Sequence, residues 1–471
     1  MNVTTDAKLL RFVIFLYVLL YFVNYFLKMD VLTAIQATLG LIMLVLAGVS
    51  FRVKHFKLPL FLFLTGSVIM VLFTDGPFLG NLQSGLLQMS NIIGLLAVVP
   101  MISWVLRSEP YIEEIIGLAH NFLNTSRKFY SGILVFTHII AYFLLFGSIP
   151  MMYEFVNNIL KNERGEAWEK FKGTALLRAF ALSTLWVISI PSFAYAVEAL
   201  DASLFTTMMQ GLITAAAAMI VAIGFSYAEE RHYSVDLTAA INTELDRMRE
   251  DASDKKQQIR KALEFGFLFI SLFGTIFFIY SIMNVELMVL IPIVILIWST
   301  SYFLIKKRPK RQLDEAQDYY RYGLSGKGYQ FSVLTAAGVL IFGLNQMGIG
   351  TVIVDGIYAL QEFVPFINIL YFLPLIVIVL GFMGLGPLTV MVLVAGILED
   401  ISLPYPPELV VLAVTSGSAI SILVSPLLMP VIVLSDTNGL SPLKNGFKHN
   451  YKYAIVLYVM VQIYIQFMVY V

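Results

Sequence analysis

Residues 363–398 read FVPFINILYFLPLIVIVLGFMGLGPLTVMVLVAGIL and contain no charged residue. One membrane-spanning helix needs about 20 apolar residues. This run is too long for one ordinary helix, and Gly384-Leu385-Gly386-Pro387 interrupts it near its middle. A similar interruption, Gly147-Ser148-Ile149-Pro150, falls inside the apolar stretch 131–160. Each is followed by a second proline break, at Pro191 and at Pro426. From there the spacing repeats: Pro191, Asp201 and Gln210-Gly211 are matched by Pro426, Asp436 and Asn445-Gly446. Broken hydrophobic segments in corresponding positions of two halves are the sequence mark of secondary transporters.

Composition bounds the class. Hydrophobic residues make up 59% of the 471 positions and charged residues 13%, about half the charge of a soluble domain. The formal net charge is zero, so no nucleic-acid partner is expected. There is no cysteine, which excludes disulfides, thiolate metal sites and cysteine nucleophiles. Five histidines are present, without a His-Glu-x-x-His motif, and there is no phosphate-binding loop of the Gly-x-x-x-x-Gly-Lys-Ser/Thr type. We therefore expect an all-α polytopic membrane protein that is not an enzyme. A membrane-embedded enzyme and a lipid or polyprenyl-phosphate flippase are the alternatives.

The expected crossings are 9–27, 31–50, 58–73, 86–106, 174–200, 211–228, 265–283, 287–305, 331–350, 408–434 and 453–471. The first is read as a retained span, since no small-residue cleavage site follows it. Segments 131–160 and 363–398 are read as re-entrant hairpins, in which irregular backbone is satisfied by protein or by a water-filled cavity. With the N-terminus inside, the outer loops 74–85, 201–210, 284–286, 351–362 and 399–407 carry no Lys or Arg. Clusters such as Lys306-Lys307-Arg308, or Lys444, Lys448 and Lys452, then face the cytoplasm, as the positive-inside rule requires. This gives an extra N-terminal helix (1–30) and a first repeat, 31–228. A charged cytoplasmic linker (229–264) leads to an inverted second repeat, 265–471. An interfacial amphipathic helix is expected over 109–124.

This organisation, inverted repeats each with a hairpin followed by a broken helix, resembles the ion transporter superfamily. That superfamily includes divalent anion:sodium symporters and arsenite-antiporter-like proteins. The resemblance covers residues 31–471 and implies a homodimer with a fixed scaffold and a moving transport part. It also implies elevator-like alternating access in the cell membrane, here of a bacterium. The tips, Gly147-Ser148-Ile149-Pro150 and Gly384-Leu385-Gly386-Pro387, depart from the Ser-Asn-Thr that the dicarboxylate branch carries there.

Proline is favoured at the first position of a helix. Pro150 and Pro387 are expected to open the second arm of each hairpin, and Pro191 and Pro426 the second half of each broken helix. Such starts expose backbone N–H groups and the positive end of a helix dipole, which suit an anion. The candidate substrate and ion site is therefore Gly147, Ser148, Pro150, Ser189, Ser192, Gly384, Gly386, Pro387, Ser418 and Ser425, with Ser421 beside them. Glu198 and His138 are candidates for coupling, His138 reading first as a hydrogen-bonded structural histidine and Glu198 equally as an interfacial carboxylate beside Asp201. Arg178 is expected to snorkel to the headgroups. Beyond a small anion, membrane lipid and Na+ as a possible coupling ion, no cofactor or metal is expected.

Overall fold

The computed structural model describes residues 5–51, 56–111, 114–115, 125–160, 165–233, 255–283, 285–350, 352–353, 355–356, 359, 364 and 368–470. Among them the regular elements are helices and no strand occurs. Ten helical stretches among the described residues are long and apolar enough to cross a membrane. The chain is an all-α, multi-pass membrane protein. Most of the linker 229–264 and of segment 109–124 lies outside the described residues, as does part of 363–368.

Two compact units are each assembled from both halves of the sequence. Unit 1 comprises Met1–Val105, Thr275–Phe366 and Val392–Leu403; unit 2 comprises Leu106–Gly274, Ile367–Met391 and Pro404–Val471.

Unit 1 holds α1 (Thr5–Leu27), α2 (Asp30–Ser50), α3 (Lys57–Phe73), α4 (Phe78–Leu87), α5 (Ser90–Val98) and most of α6 (Pro100–Leu106). The expected crossing 86–106 is thus a run of short helices, the last restarting at Pro100, a residue suited to a helix start. Between α1 and α2 the chain reverses through Lys28 at φ 50°, and the Asn24 side chain accepts from the Met29 N–H at 2.9 Å. The second half supplies the C-terminal end of α12 (Lys255–Ile282), then α13 (Leu287–Ile305), α14 (Pro309–Asp318) and α15 (Gly328–Gln346). Packing between the halves is reciprocal: α3 lies along α15, and α13 along α5. Asn345 at the end of α15 donates to the Gly396 carbonyl at 3.1 Å and to the Asp400 carboxylate at 2.8 Å.

Unit 2 contains α7 (Ser126–Leu144), α8 (Ser148–Ile159), α9 (Glu166–Ser183), α10 (Pro191–Ala199) and α11 (Leu204–Tyr233). From the second half it takes α16 (Ile369–Phe382), the start of α17 (Pro387–Leu398), α18 (Pro407–Val424), α19 (Met429–Asn438) and α20 (His449–Tyr470). Capping places the two helices that lead into the interruptions. The Thr125 hydroxyl accepts from the Lys128 N–H ahead of α7, and the Asn368 side chain accepts from the Leu370 N–H ahead of α16. Here too the packing corresponds: α7 lies on α9 as α16 lies on α18, and α9 on α11 as α18 on α20. The interrupted segments differ in one respect. α7 and α8 pack against each other, whereas α16 packs along α18 and α20 rather than along α17.

Candidate functional site

All four interruptions belong to unit 2. The first is a 3₁₀ turn, Leu145–Gly147, entered through Leu145 at φ 50°. Ser148 begins α8 with its hydroxyl donated to the Leu145 carbonyl at 2.7 Å, and Pro150 sits in the first turn of that helix. The second interruption separates α9 from α10, which Pro191 opens as its first residue. The third is Met383–Gly386, where Gly384 takes φ 88°, a value only glycine adopts cheaply, before Pro387 opens α17. The fourth separates α18 from α19. Its second half-helix starts at Met429 with Pro430 in second place, so Pro426 lies in the break itself and does not open the helix. Pro430 has the pre-set φ that a first turn needs.

The two breaks inside the long segments are built by the same devices. Ser189 donates to the Tyr142 carbonyl at 2.6 Å, and Ser425 donates to the Gly381 carbonyl at 2.9 Å. In each half, then, a serine in the break ties down a carbonyl close to the preceding tip. The repeated glycine also has a physical reason. A Cβ on Gly211 would stand 2.1 Å from the Leu185 carbonyl oxygen, and one on Gly446 would stand 3.3 Å from the Val424 carbonyl oxygen. Both glycines let a neighbouring helix approach the backbone where the broken helix unwinds. Contacts also join the halves: the Leu145–Gly147 turn and α8 meet α19, and α10 meets α18.

What fills the breaks differs. In the first, the Trp186 indole N–H donates to His138 Nε2 at 2.9 Å, which leaves the imidazole proton on Nδ1, facing the Ala179 carbonyl at 3.0 Å. Both ring nitrogens of His138 are used, so it clasps α7 to α9 and to the break. Ser183 and Thr184 donate to the Phe180 and Ala181 carbonyls. In the second, the hydroxyls of Ser418 and Ser421 are buried and have no hydrogen-bond partner. Such a group costs about 1–3 kcal/mol when left unsatisfied. Ser418, Ser421 and Ser425 lie three and four residues apart on one helical face.

Arg178 does not snorkel. It is fully buried and central to unit 2, because polar groups from α7, α11 and α20 reach it. Its Nε donates to Asn450 Oδ1 at 3.0 Å, one terminal nitrogen to the Tyr130 hydroxyl at 3.1 Å, and the other to Glu229 at 3.4 Å, with the Tyr453 ring 4.6 Å away. A span with one arginine and several polar neighbours two helices away was a readable signal; which of them converge was not.

Ser192 is buried as the second residue of α10, and Glu198 is half-buried as its penultimate one. Gly147 is exposed at its tip, and Gly386 is half-buried just before α17. Asp201 follows α10 at φ 50°. Asp436, by contrast, lies within α19, which ends at Gly439 in a left-handed conformation. Among the described residues no three His, Asp or Glu side chains are grouped to hold a metal ion. Comparison with protein-family models gives no match, and comparison with curated proteins gives none either.

Proposed function

We propose that this chain is a secondary active transporter of a small organic or inorganic anion, driven by sodium or protons in an elevator-like cycle. The observation that carries the reading is the gathering of all four interruptions in unit 2, with the hydroxyls of Ser418 and Ser421 buried beside one of them and unpartnered. Half-helix starts such as α10 and α19 have no side-chain cap, so their first N–H groups and dipoles suit an anion. Ser418 and Ser421 would gain the partners they lack from the bound substrate. Carbonyls at the ends of α9 and α18 suit a coupling cation.

The proposal includes two inverted repeats, 31–228 and 265–471, with re-entrant segments at 131–160 and 363–398. The reciprocal packing of α3 on α15 and α13 on α5 supports it, as does the shared Ser189 and Ser425 hydrogen bond. Unit 2 would carry the substrate, and unit 1 would form the scaffold of a homodimer in the plasma membrane, with the N-terminus cytoplasmic. The test is flux into proteoliposomes across a panel of anions, with and without an imposed sodium or proton gradient. Gradient-dependent flux of one anion class is expected. Absence of any such flux across the panel would remove the reading.

A further inference from the structure

A second polar site lies in unit 2, away from the breaks. Lys170 is thirteen positions before Ser183 on the single helix α9, about 20 Å along its axis. Beside it opens a cavity of about 440 Å³ whose walls include Glu229, Lys448, His449 and Lys452. Three ammonium groups line it beside one carboxylate, Glu229, which is already shared between Lys170 at 3.5 Å and Arg178 at 3.4 Å. A second carboxylate, Glu166, lies within electrostatic reach of Lys170 and His449 and is paired with Lys444 at 2.9 Å. Among the described residues Lys448 and Lys452 have no carboxylate partner, so the cavity has a surplus of positive charge.

His449 makes this more than a lysine-rich surface. It is only 8% exposed, and both its ring nitrogens lack a hydrogen-bond partner. Its own backbone carbonyl accepts from Arg178 at 3.5 Å, which fixes the residue in place at the cavity wall. A buried imidazole with two unused nitrogens carries a desolvation cost that a bound oxyanion would offset. Phe225 and Tyr451 supply an apolar side to the same cavity. From Tyr451 an exposed stripe continues down α20 at every fourth residue: Ile455, Val459, Ile463 and Phe467. Residues four apart form a ridge inclined to the helix axis, so the row winds slowly round α20 as it descends.

We propose that this cavity binds a phosphate group, with Lys448, Lys452 and His449 as its donors, and that the α20 stripe makes an anionic phospholipid its source. The inference does not depend on transport. A tetrahedral phosphate offers several acceptor oxygens to donors arriving from different directions, and charge-assisted bonds to ammonium groups are the strong ones. An acyl chain would lie along the stripe below.

The test is thermal unfolding of the full-length protein in detergent at constant ionic strength. It compares dioleoyl phosphatidic acid, dioleoylglycerol (the same lipid without its phosphate) and inorganic phosphate. A ligand that prefers the native state raises its apparent stability by mass action. Phosphatidic acid should raise the melting temperature and dioleoylglycerol should not. Lys448 and Lys452 are exposed, so the double variant Lys448→Gln/Lys452→Gln keeps the fold, and its apparent affinity should fall by about tenfold per lysine. His449→Leu should weaken binding by a smaller factor. Stabilisation by phosphatidic acid alone assigns the site to lipid, and stabilisation by inorganic phosphate as well assigns it to phosphate groups of either origin. No stabilisation by either, or an equal effect on the double lysine variant, would overturn the proposal.

Discussion

The break after α9 and the break after α18 share a frame and differ in filling. Each has a serine bonded to a carbonyl near the preceding tip, and each has a glycine pressed on the backbone where the helix unwinds. The first is closed by its own side chains, with Trp186, His138, Ser183 and Thr184 all hydrogen-bonded. The second keeps Ser418 and Ser421 buried without partners. The difference separates two breaks that matched residue spacing makes look alike. One break is closed by hydrogen bonds, and the other keeps hydrogen-bonding capacity unspent, which in the proposed function serves the substrate.

Substitutions can break or sharpen that contrast. The largest effect is expected at Arg178, which joins the first-half helix α9 to Asn450 of the second half. Removing one member of a buried charged network strands the rest, at about 3–5 kcal/mol, so Arg178→Met should unfold at much lower denaturant than wild type. Next come the paired glycines. Gly211→Ala places a methyl group against a backbone carbonyl that cannot swing away, for a loss of about 3 kcal/mol, while Gly446→Ala should cost about 1 kcal/mol or less. Equal losses at the two glycines would mean that the two breaks are equally tight. Trp186→Phe removes the indole donor to His138 and should cost about 1–2 kcal/mol, read from the same unfolding curves.

Unit 1 supplies a titration that touches neither break. Lys327 donates to the Leu96 carbonyl at 3.0 Å, and burial pushes its ammonium from 10.5 down to about 8. Between those values the unfolded chain holds a proton that the folded chain has lost. Stability should therefore rise with pH across that window, by about 1 kcal/mol per unit, and the slope should vanish in Lys327→Met. The smallest effect on stability belongs to Ser418→Ala/Ser421→Ala. Deleting hydroxyls that have no partner should leave the unfolding free energy within about 0.5 kcal/mol of wild type, or raise it.

Much of this fold could be read from the residues because membrane spans announce themselves by length and by the absence of charge. The interruptions at Gly147–Pro150 and Gly384–Pro387 were legible for the same reason, since glycine and proline act locally on the backbone. The repeated Gln210-Gly211 and Asn445-Gly446 were visible as a spacing, but their purpose was not, because a close approach involves a partner helix far away in sequence. Pro426 misled for a related reason. Equal spacing pointed to it, yet Pro430 also satisfies a helix start, and the unwound stretch ends where packing sets it. Arg178 was misjudged because snorkelling considers one helix alone, whereas its partners come from three others. His449 and the lysines around it gave no signal beyond a basic loop.

The most direct measurement is anion uptake into proteoliposomes under an imposed gradient, comparing wild type, Trp186→Phe and Ser418→Ala/Ser421→Ala at equal reconstituted amounts. The expected result is uptake by wild type and by Trp186→Phe, with uptake lost in the double serine variant although its melting temperature is not lowered. Undiminished uptake by the double serine variant would contradict a substrate site at the second break, and a wild type that moves no anion at all would contradict transport itself.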